Sequence, residues 1–162
     1  MIFVEAPNEI YSIEASSSKK LFLAGGITNC PDWQSPLIVE LRKLNLKDLI
    51  VYNPRRANFP MHDPNAAEEQ ITWEYEHLKS CDYYVFWFAK GSLNPIVLYE
   101  LGMYGNSSKK PMCICIDNEY ERSQDVVIQT KLARKDVPIF SFSSEKNIQM
   151  VANWVSIIFS KT

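Results

Sequence analysis

Short apolar runs typical of β-strands alternate with segments of helical apolar spacing along this 162-residue sequence, and this order constrains the fold more than any other feature. Tyr83–Phe88 is apolar throughout, as expected of a strand that is covered on both faces. Further strands are predicted at 20–24, 49–52, 111–116 and 137–142, and helices at 33–44, 66–80, 96–105 and 147–159. This alternation predicts a mostly parallel sheet with helices on both faces.

A weak apolar alternation over Ile2–Ala15 surrounds the turn-like Pro7-Asn8-Glu9 and predicts a small N-terminal β-hairpin before the main fold. The rest of the sequence shows no linker and no repeat, so we expect residues 1–162 to form a single domain. The sequence is 46% hydrophobic with a net charge of −2, which excludes a disordered chain.

Charge and hydropathy exclude several classes of partner. Seventeen basic and nineteen acidic residues leave no positive excess for a phosphate backbone, so a nucleic acid polymer is not an expected partner. Charged or polar residues interrupt every apolar run before it reaches the ~18 residues that are needed to span a bilayer. The N-terminus carries acidic residues early and lacks the basic and apolar regions of a signal peptide. We therefore expect a cytoplasmic protein without a membrane partner.

The cysteines and histidines do not form a recognisable metal motif. The cysteines lie in apolar or strand-like surroundings and form no Cys-x-x-Cys pair; they are Cys30, Cys81, Cys113 and Cys115. Reduced core thiols are favoured over a redox or metal role. His62 and His77 lack the spacing to the cysteines that a zinc site requires, and both stay unassigned.

The predicted strand ends are the candidate ligand sites, because parallel sheets of this kind bind ligands at the carboxyl ends of their strands. Gly25-Gly26 follows one such end but does not form a Gly-x-Gly-x-x-Gly motif. No acidic residue follows the next strand at Tyr52, which disfavours a nicotinamide-dependent oxidoreductase. A tight turn with positive φ and a close approach to a ligand are both consistent with the two glycines.

Carboxylates near the strand ends indicate acid–base or nucleophilic chemistry. Glu74 lies in the helix after a long polar loop, and Glu100 lies in a short helix that is otherwise apolar. Burial would raise the pKa of Glu100 and prepare it for such chemistry, whereas a solvated helix face is the alternative. Two carboxylates on neighbouring elements meet the requirement for cleaving a glycosidic bond. Asp82, just before the aromatic strand, is predicted to be structural.

Four segments stand out by their order and spacing. They are Lys20-Leu-Phe-Leu-Ala-Gly-Gly-Ile27, Trp73-Glu74, Cys81-Asp82-Tyr-Tyr-Val-Phe-Trp-Phe88 and Tyr99-Glu-Leu-Gly-Met-Tyr104. Together they resemble the nucleoside 2-deoxyribosyltransferase family and are closest to its deoxyribosyltransferase-like branch. The resemblance covers Lys20 to about Ile116. Together with the alternation of strands and helices, it predicts a flavodoxin-like or Rossmann-like three-layer α/β sandwich.

The resemblance implies a role for each matching residue. Glu100 would be the nucleophile, and Glu74 would contact the base and help deliver its proton, at a position where better-known members have aspartate. Asn94 takes the place of an aspartate that often binds the sugar hydroxyls in this family. Phe22 would lie beside the nucleophile, and Gly25-Gly26 would form the substrate-facing turn.

The resemblance also implies that no metal or redox cofactor is needed. It implies a homo-oligomer in which subunits complete one another's sites, and the stretch after Val137 is the predicted donor.

Two further pairs of residues leave alternatives open. Arg55-Arg56 could clamp the phosphate of a nucleotide, or they could belong to a solvated or carboxylate-paired loop. Trp73 and Trp87 could stack on a nucleobase or could serve in packing.

The resulting hypothesis is an enzyme of nucleotide metabolism that acts on the N-glycosidic bond of (deoxy)nucleosides or nucleotides. It would transfer 2-deoxyribose between nucleobases or hydrolyse the bond through a covalent glycosyl-glutamate. The alternative is a catalytically silent nucleotide-binding module.

Overall fold

The computed structural model describes residues 1–10, 17–142 and 146–161. The strands are β1 (Ile2–Glu5), β2 (Lys19–Gly25), β3 (Leu49–Asn53), β4 (Tyr83–Phe88), β5 (Met112–Asp117) and β6 (Ile139–Phe142). The helices are α1 (Gln34–Lys43), α2 (Ala66–Ser80), α3 (Pro95–Glu100), α4 (Ser123–Ala133) and α5 (Lys146–Phe159). Leu101–Asn106 continues α3 as a π-helical turn.

All six strands form one parallel sheet in the order β1-β3-β2-β4-β5-β6. Alternate residues of the central strands enter two separate apolar clusters. Phe22 and Phe86 belong to the cluster beneath α2, α3 and α4, whereas Leu21 and Val85 belong to the cluster beneath α1 and α5. The sheet is therefore covered on both faces, which confirms the three-layer α/β sandwich.

The N-terminal strand differs from the sequence-based prediction. Ile2–Glu5 pairs in parallel with β3, from Ile2 beside Ile50 to Glu5 beside Asn53. It is an edge strand of the main sheet, and Val4 and the adjacent Ala6 join the core. The returning half of the predicted hairpin falls largely on residues 11–16, which lie outside the described residues.

The strand order reverses beside β2. The chain passes from β2 to β3 on one side and then crosses to β4 on the other side. The carboxyl ends of β2 and β4 meet at this point, with Gly25 in register with Trp87. A crevice at this position is the usual ligand site of an open parallel sheet.

One helix was absent from the sequence-based prediction. α4 buries Val126 and Thr130, while Ile128 and Leu132 remain exposed. Three of its apolar residues cluster as Val126-Val127-Ile128. The pair at helical spacing, Ile128 and Leu132, lies on the exposed face, so periodicity did not indicate a buried helix face. No helix within the described ranges is long and apolar enough to span a bilayer.

Candidate active site

A cavity of about 330 Å³ opens at the carboxyl ends of β2 and β4. Its walls come from the end of β2 and the loop after it, the residue after β3, α2, and the segment from Ser92 to Glu100. The lining side chains that the sequence analysis singled out are Phe22, Gly25, Gly26, Glu74, Asn94 and Glu100. The reversal of strand order thus brings together residues that are up to 78 positions apart in the sequence, from Phe22 to Glu100.

Glu100 is the most unusual ionisable group in this cavity. It is only 8% exposed, and no hydrogen-bond donor contacts its carboxylate within residues 1–10, 17–142 and 146–161. Burial raises the pKa of Glu100 to about 8, and the negative charge of Glu74 adds to the effect. Glu100 is also the last residue of α3 before the π-helical turn. Such turns occur often at functional sites.

Glu74 faces the same cavity from α2 but has compensating partners. Its Oε1 accepts a hydrogen bond of 2.6 Å from Gln70 Nε2. Burial raises the pKa of Glu74, while the Gln70 hydrogen bond and the positive charge of Arg56 act in the opposite direction. The two carboxylates therefore differ, because Glu74 has a donor and a nearby cation that favour its ionised form.

This arrangement suits a reaction that needs one protonated and one ionised carboxyl group. Two carboxylates that share a partly desolvated space resist simultaneous ionisation, so the pair retains a proton towards neutral pH. One group can then act as a nucleophile or base and the other as an acid. Phe22, which is 1% exposed in the protein, forms part of the apolar wall beside them.

The two glycines permit close packing and do not make a turn with positive φ. A Cβ on Gly25 would lie 2.4 Å from Cζ2 of Trp33, and one on Gly26 would lie 2.0 Å from Oδ1 of Asn94. Among the described glycines, only Gly91 has positive φ. The tight-turn interpretation of Gly25-Gly26 was therefore wrong: both glycines allow close packing against protein side chains.

Asn94 lines the cavity, but its amide is engaged by the surrounding loop. The residue is 4% exposed and adopts a left-handed conformation with φ 47° before α3. Its Nδ2 donates to the carbonyl oxygens of Ala89 at 3.3 Å and Ser92 at 3.0 Å. Its Oδ1 accepts a hydrogen bond from Cys30 Sγ at 3.3 Å. Asn94 therefore holds the β4–α3 loop against the end of β2.

Arg55 does not line the cavity; its guanidinium binds the backbone of the loop after β2. Nη2 lies 3.0 to 3.4 Å from four carbonyl oxygens, those of Gly26, Ile27, Cys30 and Pro31. Nε donates to Gln34 Oε1 at 2.9 Å. These contacts fix the loop that forms one wall of the cavity.

Arg56 is paired with a carboxylate, as the structural alternative predicted. Its Nη2 donates to Glu69 Oε2 at 2.8 Å, and its side chain is 5% exposed. The guanidinium carbon also lies 5.5 Å from the centre of the Phe59 ring. The guanidinium of Arg56 is therefore engaged by protein groups.

The two tryptophans serve in packing on opposite faces of the sheet. Trp73 stacks on His77 with ring centres 4.2 Å apart, and its Nε1 donates to the carbonyl oxygen of Asn8 at 2.9 Å. Trp87 stacks on Trp33 at 4.9 Å. Neither Trp73 nor Trp87 lines the cavity, although Trp73 supports it through the Phe22 ring 6.1 Å away.

Asp82 lies at the other end of β4 from the cavity. Its Oδ2 accepts a hydrogen bond of 2.9 Å from the backbone N–H of Lys20, and its own N–H donates to Lys20 O. These bonds join the beginnings of β2 and β4. These contacts fit the predicted structural role of Asp82, but the partner lies 62 positions away in the sequence.

Two residues at the site, Thr28 and Gln70, were not anticipated. Thr28 adds a hydroxyl group to the lining, and Gln70 supports Glu74 from outside it. Ser92 adds a second hydroxyl group and follows the end of β4, one of the strand ends predicted as candidate ligand sites. Gln70 lies four residues before Glu74, which is one helical turn, but this spacing is too common to single it out.

The described residues contain no cluster of three or more metal-ligating side chains. The four cysteines are free thiols, and three of them are buried in the core. Cys30 is the partly exposed one, in the loop beside Asn94.

A family model described as nucleoside 2-deoxyribosyltransferase like matches residues 18–120, which is more than half of the chain. The matched stretch contains Phe22, Glu74, Asn94 and Glu100, and the match confirms the resemblance seen in the sequence motifs. No curated protein matches the chain.

Proposed function

Since the chain belongs to the nucleoside 2-deoxyribosyltransferase-like family, we propose that it cleaves the N-glycosidic bond of a nucleoside through a covalent glycosyl-glutamate. The observation that carries this proposal is the pair of carboxylates, Glu74 and Glu100, that line one cavity at the reversal of strand order. This position and this pair match the requirements of a double displacement.

In the first step, a carboxylate oxygen of Glu100 attacks C1′ of the sugar. The bond between C1′ and the base nitrogen breaks, its electron pair leaves with the base, and Glu74 supplies the proton that the base takes up. The sugar remains as an ester of Glu100. In the second step, a nitrogen of another base or a water molecule attacks C1′ from the freed side and gives its proton to Glu74. The ester bond breaks, and Glu100 leaves as the carboxylate. Two inversions retain the anomeric configuration.

The pair can hold the one proton that this step needs. Glu100 must be ionised and Glu74 protonated when the base leaves, so the pair must hold one proton in total. Burial and the charge of Glu74 raise the pKa of Glu100 to about 8, which supports retention of one proton at neutral pH. We therefore expect the activity to fall when both groups are ionised at high pH and when both are protonated at low pH.

The lining of the cavity favours an uncharged nucleoside over a 5′-nucleotide. The described lining residues include two carboxylates and no lysine, arginine or histidine. A phosphate group would be repelled by Glu74 and Glu100, while Arg55 and Arg56 are engaged elsewhere. We propose that the substrate carries no phosphate and that the base leaves from the side of Glu74.

Base release from nucleosides and their 5′-monophosphates tests this proposal. We expect the wild type to release base from at least one nucleoside, and Glu100→Ala to lower the rate at least 10³-fold, as expected for loss of a nucleophile. Glu68→Ala, an exposed glutamate on α2, is the matched control. Ligand binding without base release would favour the second candidate, a silent nucleotide-binding module.

We also propose that the protein is a homo-oligomer in the cytoplasm whose 162 residues form one domain. Large apolar side chains are exposed on α2, α3 and the π-helical turn around the cavity; they are Ile71, Tyr75, Ile96, Tyr99 and Met103. An exposed apolar patch of this kind is typical of an interaction surface. The stretch after Val137 remains the predicted donor to a neighbour's site.

Light scattering after size-exclusion chromatography tests the oligomer. The double change Tyr99→Lys/Met103→Lys should reduce the assembly to monomers, because two charges would be buried at the contact. Leu132→Lys, at a residue 79% exposed on α4, is the control. A monomeric wild type, or an unchanged mass of the double variant, would contradict the proposal.

A further inference from the structure

Gln70 connects two walls of the cavity without lining it. Its Nε2 donates to Glu74 Oε1 at 2.6 Å and to the carbonyl oxygen of Pro54 at 2.8 Å. Pro54 lies directly after β3, and Glu74 lies one turn further along α2. Both partner atoms are hydrogen-bond acceptors, and only the nitrogen of the Gln70 amide can donate to them. The orientation of the amide group is therefore determined.

The charged and titratable groups around the carboxylate pair are arranged unevenly. From the loop after β3, Arg56 favours the ionised form of Glu74, and Arg56 is itself held by Glu69. From α2, the negative charge of Glu74 opposes ionisation of Glu100 and raises its pKa. The charge of Glu100 in turn contributes to the raised pKa of Tyr104 in the π-helical turn. Glu100 has no comparable donor within the described parts of the chain.

We propose that Gln70 is a positioning residue for this pair: its amide fixes the Glu74 carboxylate beside Pro54 and keeps the shared proton on Glu100 until a substrate binds. The inference rests on the proposed function, because it assigns Gln70 a part in that reaction. The reaction needs the reverse distribution, with Glu100 ionised. Binding of the substrate must therefore be accompanied by movement of the proton from Glu100 to Glu74, from which the departing base takes it.

If Gln70 served in packing alone, it would not control the protonation of Glu74. The Oε1 atom of Gln70 is buried without a hydrogen-bond partner, and an unsatisfied buried acceptor lowers stability. A methionine of similar shape would remove that cost. It would also remove the donor on which the ionised form of Glu74 depends.

The test is Gln70→Met, with the side-chain carboxyl ¹³C resonances of glutamate followed as the pH is varied. The Glu74 resonance is assigned from its loss in Glu74→Gln. We expect the titration midpoint of Glu74 to rise by about one pH unit in Gln70→Met, the effect of losing one hydrogen bond to a carboxylate. The acid limb of the kcat/KM profile for base release should move in the same direction by a similar amount.

Matched variants separate this role from a general loss of structure. Gln149→Met, on the exposed surface of α5, should leave the Glu74 midpoint unchanged. Gln70→Lys restores a donor and should return the midpoint to the wild-type value or below it. An unchanged Glu74 midpoint in a folded Gln70→Met protein would overturn the proposal, and so would a failure of Gln70→Lys to restore it.

The resonance titration does not depend on turnover. If the wild type releases no base from any nucleoside, the proposed function fails. The Glu74 midpoint still decides whether Gln70 controls the proton of the pair, so the two failures are distinguishable.

Discussion

Replacement of Glu100 by glutamine should remove a pH-dependent loss of stability from the protein. Glu100 is buried without a hydrogen-bond donor among the described residues, and its pKa is raised from 4.5 to about 8. In the unfolded chain the carboxyl ionises near 4.5, whereas in the folded protein it keeps its proton up to about pH 8. The folded state binds more protons in this interval, so its stability is fully present below pH 4.5 and falls as the pH rises to about 8.

The size of the effect follows from the shift. Each pKa unit corresponds to about 1.36 kcal/mol, so a shift of roughly 3.5 units corresponds to about 5 kcal/mol of unfolding free energy. This is a large part of the ~5–15 kcal/mol that stabilises a typical domain. Glutamine has the same shape but does not ionise. Its buried amide adds an offset of about 1–3 kcal/mol, which is independent of pH and leaves the slope unaffected.

Urea unfolding of the wild type and Glu100→Gln between pH 4.5 and 9 measures this slope. As the pH rises from 4.5 to above 8, the unfolding free energy of the wild type should fall by about 5 kcal/mol relative to that of Glu100→Gln. Glu68→Gln, at an exposed position of α2, should follow the wild type throughout. A constant difference between Glu100→Gln and the wild type would refute the argument that Glu100 is desolvated.

Three further substitutions test the framework around the cavity. Arg55→Met should lower the unfolding free energy by about 2–4 kcal/mol, since a partly buried cluster of carbonyl acceptors loses its donor. The preference of the variant for nucleosides over 5′-monophosphates should stay unchanged, and a selective loss of activity with monophosphates would show that Arg55 binds phosphate. Gly26→Ala would place a Cβ atom 2.0 Å from Asn94 Oδ1. We expect the unfolding free energy to fall by about 1–3 kcal/mol, seen by calorimetry as a lower melting temperature. An unchanged melting temperature would show that Asn94 is not held as described. Asp82→Ala removes the acceptor that lies 2.9 Å from the Lys20 N–H and should lower the unfolding free energy by about 1–2 kcal/mol. The kcat/KM for base release at low temperature should not change. A loss of activity without a loss of stability would place Asp82 in the mechanism.

The sheet could be predicted from the sequence because each main strand is a short apolar run of its own. Tyr83–Phe88, the most apolar run, is the central strand β4 and is buried throughout. The partner of Ile2–Glu5 could not be predicted, because a four-residue strand gives no information about its neighbour. Its parallel pairing with β3 depends on long-range contacts.

The carboxylate pair could also be predicted, because Glu100 is an acidic residue among apolar neighbours and belongs to a distinctive motif. The roles of the supporting residues could not. Arg55 follows a strand end, where a phosphate contact is a reasonable expectation, yet its side chain turns towards the backbone of the loop after β2. Trp73 depends in the same way on a remote contact, the carbonyl oxygen of Asn8. Side-chain direction in such places is determined by tertiary contacts, which leave no local pattern.

The central claim is that the sugar becomes attached to Glu100, and trapping of this ester tests it most directly. A 2′-fluoro nucleoside is suitable, because the electron-withdrawing fluorine slows breakdown of the glycosyl ester. The protein is quenched in acid, and peptides are analysed by mass spectrometry. We predict that the peptide containing Glu100 gains the mass of one fluorinated sugar and that Glu100→Ala gains none. Release of base by the wild type without an adduct on that peptide, or with an equal adduct in Glu100→Ala, would contradict the account.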